Sequence, residues 1–129
     1  MPRPARILLV EDDSDLAACL EVVLAEAGYL VDLVSDGPSA LAACVRQPAL
    51  VLVDFYLPGT LSGGELVRAL RKTCRLGTRI IIMSGLRESA ETRQAGADGY
   101  LEKPFDIDFL LETLRHHLMP PPDDTPSPS

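Results

Sequence analysis

Five short apolar runs punctuate the chain at near-regular intervals: RILLV at 6–10, YLVDLV at 29–34, ALVLVD at 49–54, TRIIIM at 78–83, and a shorter run within GADGYLE at 96–102. Each is bounded by Gly, Pro or acidic residues and is too short for an apolar helix, so each reads as a strand. Between them the apolar residues recur at helical spacing. Leu16, Leu20, Val23, Leu24 and Ala27 mark a helix over 15–27, SALAACVRQ a second over 39–47, and Leu66, Val67 and Leu70 a third within 64–72. SGLRES opens a short fourth helix reaching about Gln94, and Ile107, Leu110, Leu111, Leu114 and Leu118 form the inner stripe of a last helix over 106–118. Strands alternating with helices, several of them apolar on both sides, require a parallel sheet covered on both faces.

Local punctuation agrees with this layout. Ser14 is placed to cap the first helix and Gly28 to close it. Asp36, Gly37 and Pro38 break the second strand, and Pro38 suits the first turn of the next helix, which ends before Pro48. Thr60 and Ser62 read as polar residues of the Gly- and Pro-rich loop FYLPGTLSGG at 55–64.

With 129 residues, 47% hydrophobic and 24% charged, the chain has material for one globular domain. That domain is expected over 5–119, followed by a disordered Pro-rich tail over 120–129, PPPDDTPSPS, which cannot bury enough apolar surface to fold. On this reading no effector domain is expected to follow the folded domain. A net charge of -7 argues against direct nucleic-acid binding, which rests on Lys and Arg neutralising phosphates. Cys19, Cys44 and Cys74 are scattered and lack CxxC spacing, so they read as reduced thiols and not as a disulfide framework or zinc site. MPRPAR leads into too few apolar residues for a signal segment or membrane span, and a cytoplasmic location without membrane association is expected.

The acids after the first strand raise the functional question. Glu11, Asp12, Asp13 and Asp15 fall within five residues, and two like charges about 4 Å apart repel by roughly 4 kcal/mol at an effective dielectric of 20. Asp13 and Asp15 are expected to face solvent at a helix start, where the dipole favours acids. Ligands of open parallel sheets sit beyond the carboxyl ends of the strands. Those ends carry Glu11 and Asp12 after strand one, Asp54 after strand three, Ser84 after strand four and Lys103 after strand five. Carboxylates, a hydroxyl and an ammonium suit a divalent cation and a phosphoryl group, with Mg²⁺ neutralising the acids and one carboxylate free to attack phosphorus.

ILLVEDD, LVDFYLPG, the strand-end MSG and GADGYLEKPF, in this order and spacing, closely resemble the receiver domain of bacterial two-component response regulators, single-domain chemotaxis-type regulators among them. The resemblance covers residues 6 to about 118. It implies a flavodoxin-like, doubly wound α/β fold with a five-stranded parallel sheet in the order 2-1-3-4-5 and five helices. It also implies that Asp54 is the phosphoacceptor. Mg²⁺, or Mn²⁺ in its place, would be held by Asp12, Asp54 and the backbone carbonyl of Tyr56, with Glu11 acting through water. Ser84 and Lys103 would bind phosphoryl oxygens, Ser84 and Tyr100 would act as the switch, and Lys103-Pro104 would be a cis peptide, which an X-Pro bond adopts at a cost of only about 0.5–1 kcal/mol. Two departures stand out. The loop PGTLSGGEL is one residue longer than the commonest PGMDGLEL-like pattern, and Ser84-Gly85 replaces the common Thr-Ala.

A receiver of this kind takes its phosphoryl group from a sensor histidine kinase or a phosphotransfer protein. It signals to a downstream protein partner through the fourth helix, fifth strand and last helix, or passes the group along a relay, without turnover of a separate substrate. A haloacid-dehalogenase-like phosphatase would need a second Asp two positions after the nucleophile, where this chain has Tyr56. A phosphorylation-independent pseudo-receiver would be expected to lack an acid, the Lys or the hydroxyl, and none is missing. His116 and His117 suit the negative end of the last helix, and Gly63-Gly64 lacks the GK[ST] of a phosphate loop.

Overall fold

The computed structural model describes residues 4–59, 61–85 and 94–118. Strands β1 (Arg6–Val10), β2 (Leu30–Val34), β3 (Leu50–Asp54), β4 (Arg79–Ser84) and β5 (Gly99–Glu102) form one parallel sheet in the order β2-β1-β3-β4-β5. Among the described residues there are four α-helices, α1 (Ser14–Glu26), α2 (Gly37–Ala43), α3 (Gly63–Thr73) and a final helix (Ile107–Leu118), with a 3-10 turn at Cys44–Arg46. Most of the expected fourth helix falls on residues 86–93, outside the described residues. This is the flavodoxin-like order that the resemblance implies. None of the described helices is long and apolar enough to cross a membrane.

The apolar strands hide a period of two. Leu8, Val10, Val51, Val53, Ile80 and Ile82 pack on Ala40 of α2 and on Leu66, Val67 and Leu70 of α3. Their neighbours Ile7, Leu9, Leu50, Leu52, Ile81 and Met83 face the other way, onto Leu20 and Leu24 of α1 and Leu110 and Leu114 of the final helix. Burying both faces of β3 explains why its five residues have almost no accessible surface. Ile107, expected in the inner stripe, is half exposed instead, because it opens the final helix before that helix settles on the sheet.

Three local expectations are corrected. Asp13, not Ser14, caps α1: its carboxylate accepts the backbone N–H groups of Asp15 and Leu16 at 3.0 and 3.2 Å. Ser62 is more than a polar loop residue. Its hydroxyl accepts the Glu65 N–H while the Glu65 carboxylate accepts the Ser62 N–H, a reciprocal cap that starts α3. Thr60 lies outside the described residues. Finally, Cys44 and Cys74 are disulfide-bonded, while Cys19 is free and exposed. The pairing arises because α2 with its 3-10 extension and α3 cover the same sheet face and end beside each other. Backbone spacing along the sequence carries no trace of that.

Candidate functional site

Three loops at the carboxyl ends of β1, β3 and β5 build the site. The β1 loop turns at once into α1, so Glu11 stays buried while Asp12 is exposed. Glu11 is anchored at both ends: its N–H donates to the Val34 carbonyl at 3.1 Å, and its Oε1 accepts the Asp13 N–H at 3.2 Å. Asp54 closes β3 and is buried, its Oδ1 accepting the Tyr56 N–H at 2.9 Å. Gly63 lets α3 begin hard against this strand end, for a Cβ there would run into the Phe55 carbonyl and ring.

Lys103 follows β5. Its N–H donates to the Ser84 carbonyl at 2.7 Å, and the Lys103–Pro104 peptide is cis. Its Nζ reaches Glu11 Oε2 at 3.0 Å and Asp54 Oδ2 at 3.1 Å. Ser84, buried at the end of β4, is in register with Glu102, immediately before Lys103. Tyr100, opposite Ile82 in the sheet, is half-buried against the α2–α3 side of the core.

The electrostatics are unbalanced. Carboxylate oxygens of Glu11, Asp12 and Asp54 lie within 4.8 Å of one another, and one ammonium cannot neutralise three acids. Burial raises the Glu11 carboxyl above its ordinary value and the nearby Asp54 adds to this, against the opposing pull of Lys103 and the Asp13 N–H. Burial works against the Lys103 charge, but hydrogen bonds and attraction from Glu11 and Asp54 outweigh it and hold the ammonium above its ordinary range. Hard oxygen donors with surplus negative charge match the chemistry of Mg²⁺, which takes carboxylates and retains waters.

Beside these acids opens a cleft of about 1010 Å³, lined by Asp12, Tyr56, Pro58, Gly64, Arg68 and Gln94 among others. Tyr56 is half exposed on its wall. Arg68 and Gln94 were not singled out from the sequence. Arg68 sits four residues after Gly64 and carries its guanidinium back over that glycine, a placement that helical spacing from the cap could have signalled.

A family model of the response regulator receiver domain matches residues 7–115. The response regulator RppA of Synechocystis sp. is 42% identical over 116 residues, spanning 85% of this chain and 49% of that protein. The chain spans about half the length of the curated relatives it matches. Among solved structures, the chemotaxis response regulator CheY4 of Vibrio cholerae aligns with a TM-score of 0.80 at 29% identity, covering 89% of this chain and 99% of that one. The receiver domain of the sensor histidine kinase PA1611 from Pseudomonas aeruginosa, solved with a magnesium ion coordinated in its active site cleft, aligns with a TM-score of 0.79 at 33% identity, covering 89% and 98%. The sheet order, the acids and lysine at its carboxyl edge and these matches agree: the chain belongs to the receiver domain family of two-component response regulators.

Proposed function

We propose that this chain is a phosphorylation-operated switch in which Asp54 accepts a phosphoryl group from a phosphohistidine donor, a sensor histidine kinase or a phosphotransfer protein. The observation that carries the reading is the position of Asp54: buried, 3.1 Å from the Lys103 ammonium and clustered with Glu11 and Asp12. In the transfer, an Asp54 carboxylate oxygen forms a bond to phosphorus as the phosphorus–nitrogen bond to the donor imidazole breaks, and that nitrogen leaves with the bonding pair and takes up a proton. Lys103 and the Ser84 hydroxyl then face the phosphoryl oxygens and offset their charge. Asp12, Asp54 and the Tyr56 carbonyl would hold Mg²⁺, or Mn²⁺ in its place, with Glu11 acting through water. When bound, the ion supplies the positive charge that lets a carboxylate approach a phosphoryl group.

Tyr56 stands where a phosphatase of the rival class would place its second Asp, so attack by water on the aspartyl phosphate has no carboxylate base at that position. The working unit is residues 5–119, with the Pro-rich segment 120–129 outside it. Output runs to a protein partner over a surface that includes β5 and the final helix, or onward through a relay. Incubating the chain with acetyl phosphate and Mg²⁺ and weighing it by intact mass tests the reading. One phosphoryl group per chain is expected, with none in Asp54→Asn or in the presence of a chelator. Undiminished labelling in either would reject it.

A further inference from the structure

Cys44 and Cys74 are 30 residues apart in sequence, yet their Cα atoms are 5.1 Å apart, inside the range that a disulfide spans. We propose that this pair is a reversible dithiol–disulfide modification site, whose oxidation by a low-molecular-weight disulfide fastens the end of α2 to the end of α3. The cross-link closes a ring of chain that contains β3 with Asp54, the β3–α3 loop with Tyr56, and all of α3.

Several observations fit reversible oxidation and not metal binding or catalysis. Both sulfurs belong to the core beneath α2 and α3, at 4% and 6% exposure. Cys44 Sγ lies 3.6 Å from the Ala40 carbonyl, so the reduced thiol has an acceptor within its own helix and both oxidation states have a partner. Neither sulfur belongs to a described cluster of metal-ligating residues. Exposed chain borders each cysteine: Cys44 opens a 3-10 turn of three residues in which Val45 is largely exposed and which ends at Gln47 in the left-handed region, and Leu76, two residues after Cys74, is fully exposed. A turn so short opens locally at low cost. The chemistry balances: one thiolate attacks the reagent disulfide and expels one thiol, then the second displaces the other from the mixed disulfide. Two electrons and two protons pass from the protein to the reagent.

The ring removes conformational freedom from the unfolded chain, so the oxidised form is expected to melt on the order of 10 °C higher. The site acids and Lys103 lie at the opposite ends of the strands, so phosphoryl acceptance is expected to be the same in both forms. That separates this proposal from the assignment of Asp54.

The test uses the full chain with Cys19→Ser, so that only the pair can react. After equilibration in buffers of oxidised and reduced glutathione, free thiols are counted in denaturant and melting is followed by circular dichroism. The expected result is loss of both thiols together, a higher melting temperature in the oxidised form, reversal by dithiothreitol, and no redox-dependent shift in Cys44→Ser or Cys74→Ser. Should the serine variants fail to fold, the oxidised and reduced forms of the parent decide alone. Two thiols persisting in oxidised glutathione, a stable mixed disulfide at one cysteine, or equal melting of the two forms would overturn the proposal.

Discussion

Lys103 Nζ lies 3.0 Å from Glu11 Oε2, joining the loop after β5 to the loop after β1 across the carboxyl edge of the sheet. Burial raises the Glu11 carboxyl above its ordinary 4.5 despite this ammonium. The folded chain therefore holds that proton more tightly than the unfolded chain does. The stabilising effect of protonation is fully present below about 4.5 and is lost as pH rises through the higher folded value. Glu11→Gln removes the charge and keeps one carbonyl acceptor, for the Asp13 N–H, while its amide NH2 cannot accept from Lys103. In metal-free buffer its stability is expected to fall less than wild type as pH rises from 4.5 toward neutrality, measured by urea unfolding at each pH. Parallel profiles would show that Glu11 is not under electrostatic strain.

The same surplus of negative charge predicts that Mg²⁺ stabilises the fold. A ligand at a hundred times its dissociation constant contributes about 2.7 kcal/mol, which for a chain of this size raises the melting temperature by several degrees. Asp12→Ala is expected to abolish most of the shift without loss of folding, because Asp12 is exposed. A rise of equal size in this variant would place the ion elsewhere.

Tyr56 predicts the lifetime of the phosphorylated state. Its ring stands half exposed on the wall of the cleft beside Asp54 and carries no base that could activate water. Tyr56→Asn and Tyr56→Glu are each expected to shorten the aspartyl phosphate lifetime several-fold, as followed by phosphate release. Unchanged decay in both would mean that the ring does not gate water.

Ser84 and Tyr100 predict the output step. Ser84 is buried where β4 meets Lys103, and Tyr100 is half-buried one strand away. A phosphoryl group at Asp54 would bring charge and acceptors, which are expected to draw the Ser84 hydroxyl and leave room for the Tyr100 ring to turn inward. Moving such an equilibrium from 1:99 to 99:1 takes about 5.5 kcal/mol, within reach of several charge-assisted hydrogen bonds. With beryllofluoride as phosphoryl mimic, amide shifts around Tyr100 are expected to change fully in wild type and weakly in Ser84→Ala. Equal changes would exclude the hydroxyl as the coupling group.

The strand layout and the edge bearing the acids were legible because both are local signals: apolar runs of strand length, each ending in a polar residue. What sequence could not provide was juxtaposition across helices. Cys44 and Cys74 carry no spacing signal, and their meeting depends on α2 and α3 ending side by side on one sheet face. The sharing of Lys103 between Glu11 and Asp54 likewise needs the loops after β1, β3 and β5 in place together. The Ser62–Glu65 cap was present as an S-x-x-E pattern but masked by a Gly- and Pro-rich loop. The capping residue of α1 was displaced by one because Asp13 and Ser14 are both good caps and only the backbone, extended at Asp13, distinguishes them.

The central claim is that Asp54 carries the phosphoryl group, and the most direct measurement is to locate the modified residue. Borohydride reduces an aspartyl phosphate to homoserine, which peptide mass mapping identifies in sequence. After treatment with acetyl phosphate and Mg²⁺, homoserine is expected at position 54 alone and nowhere when a chelator is present. Homoserine at Asp12 or Asp13 instead, or at position 54 irrespective of the chelator, would contradict the account.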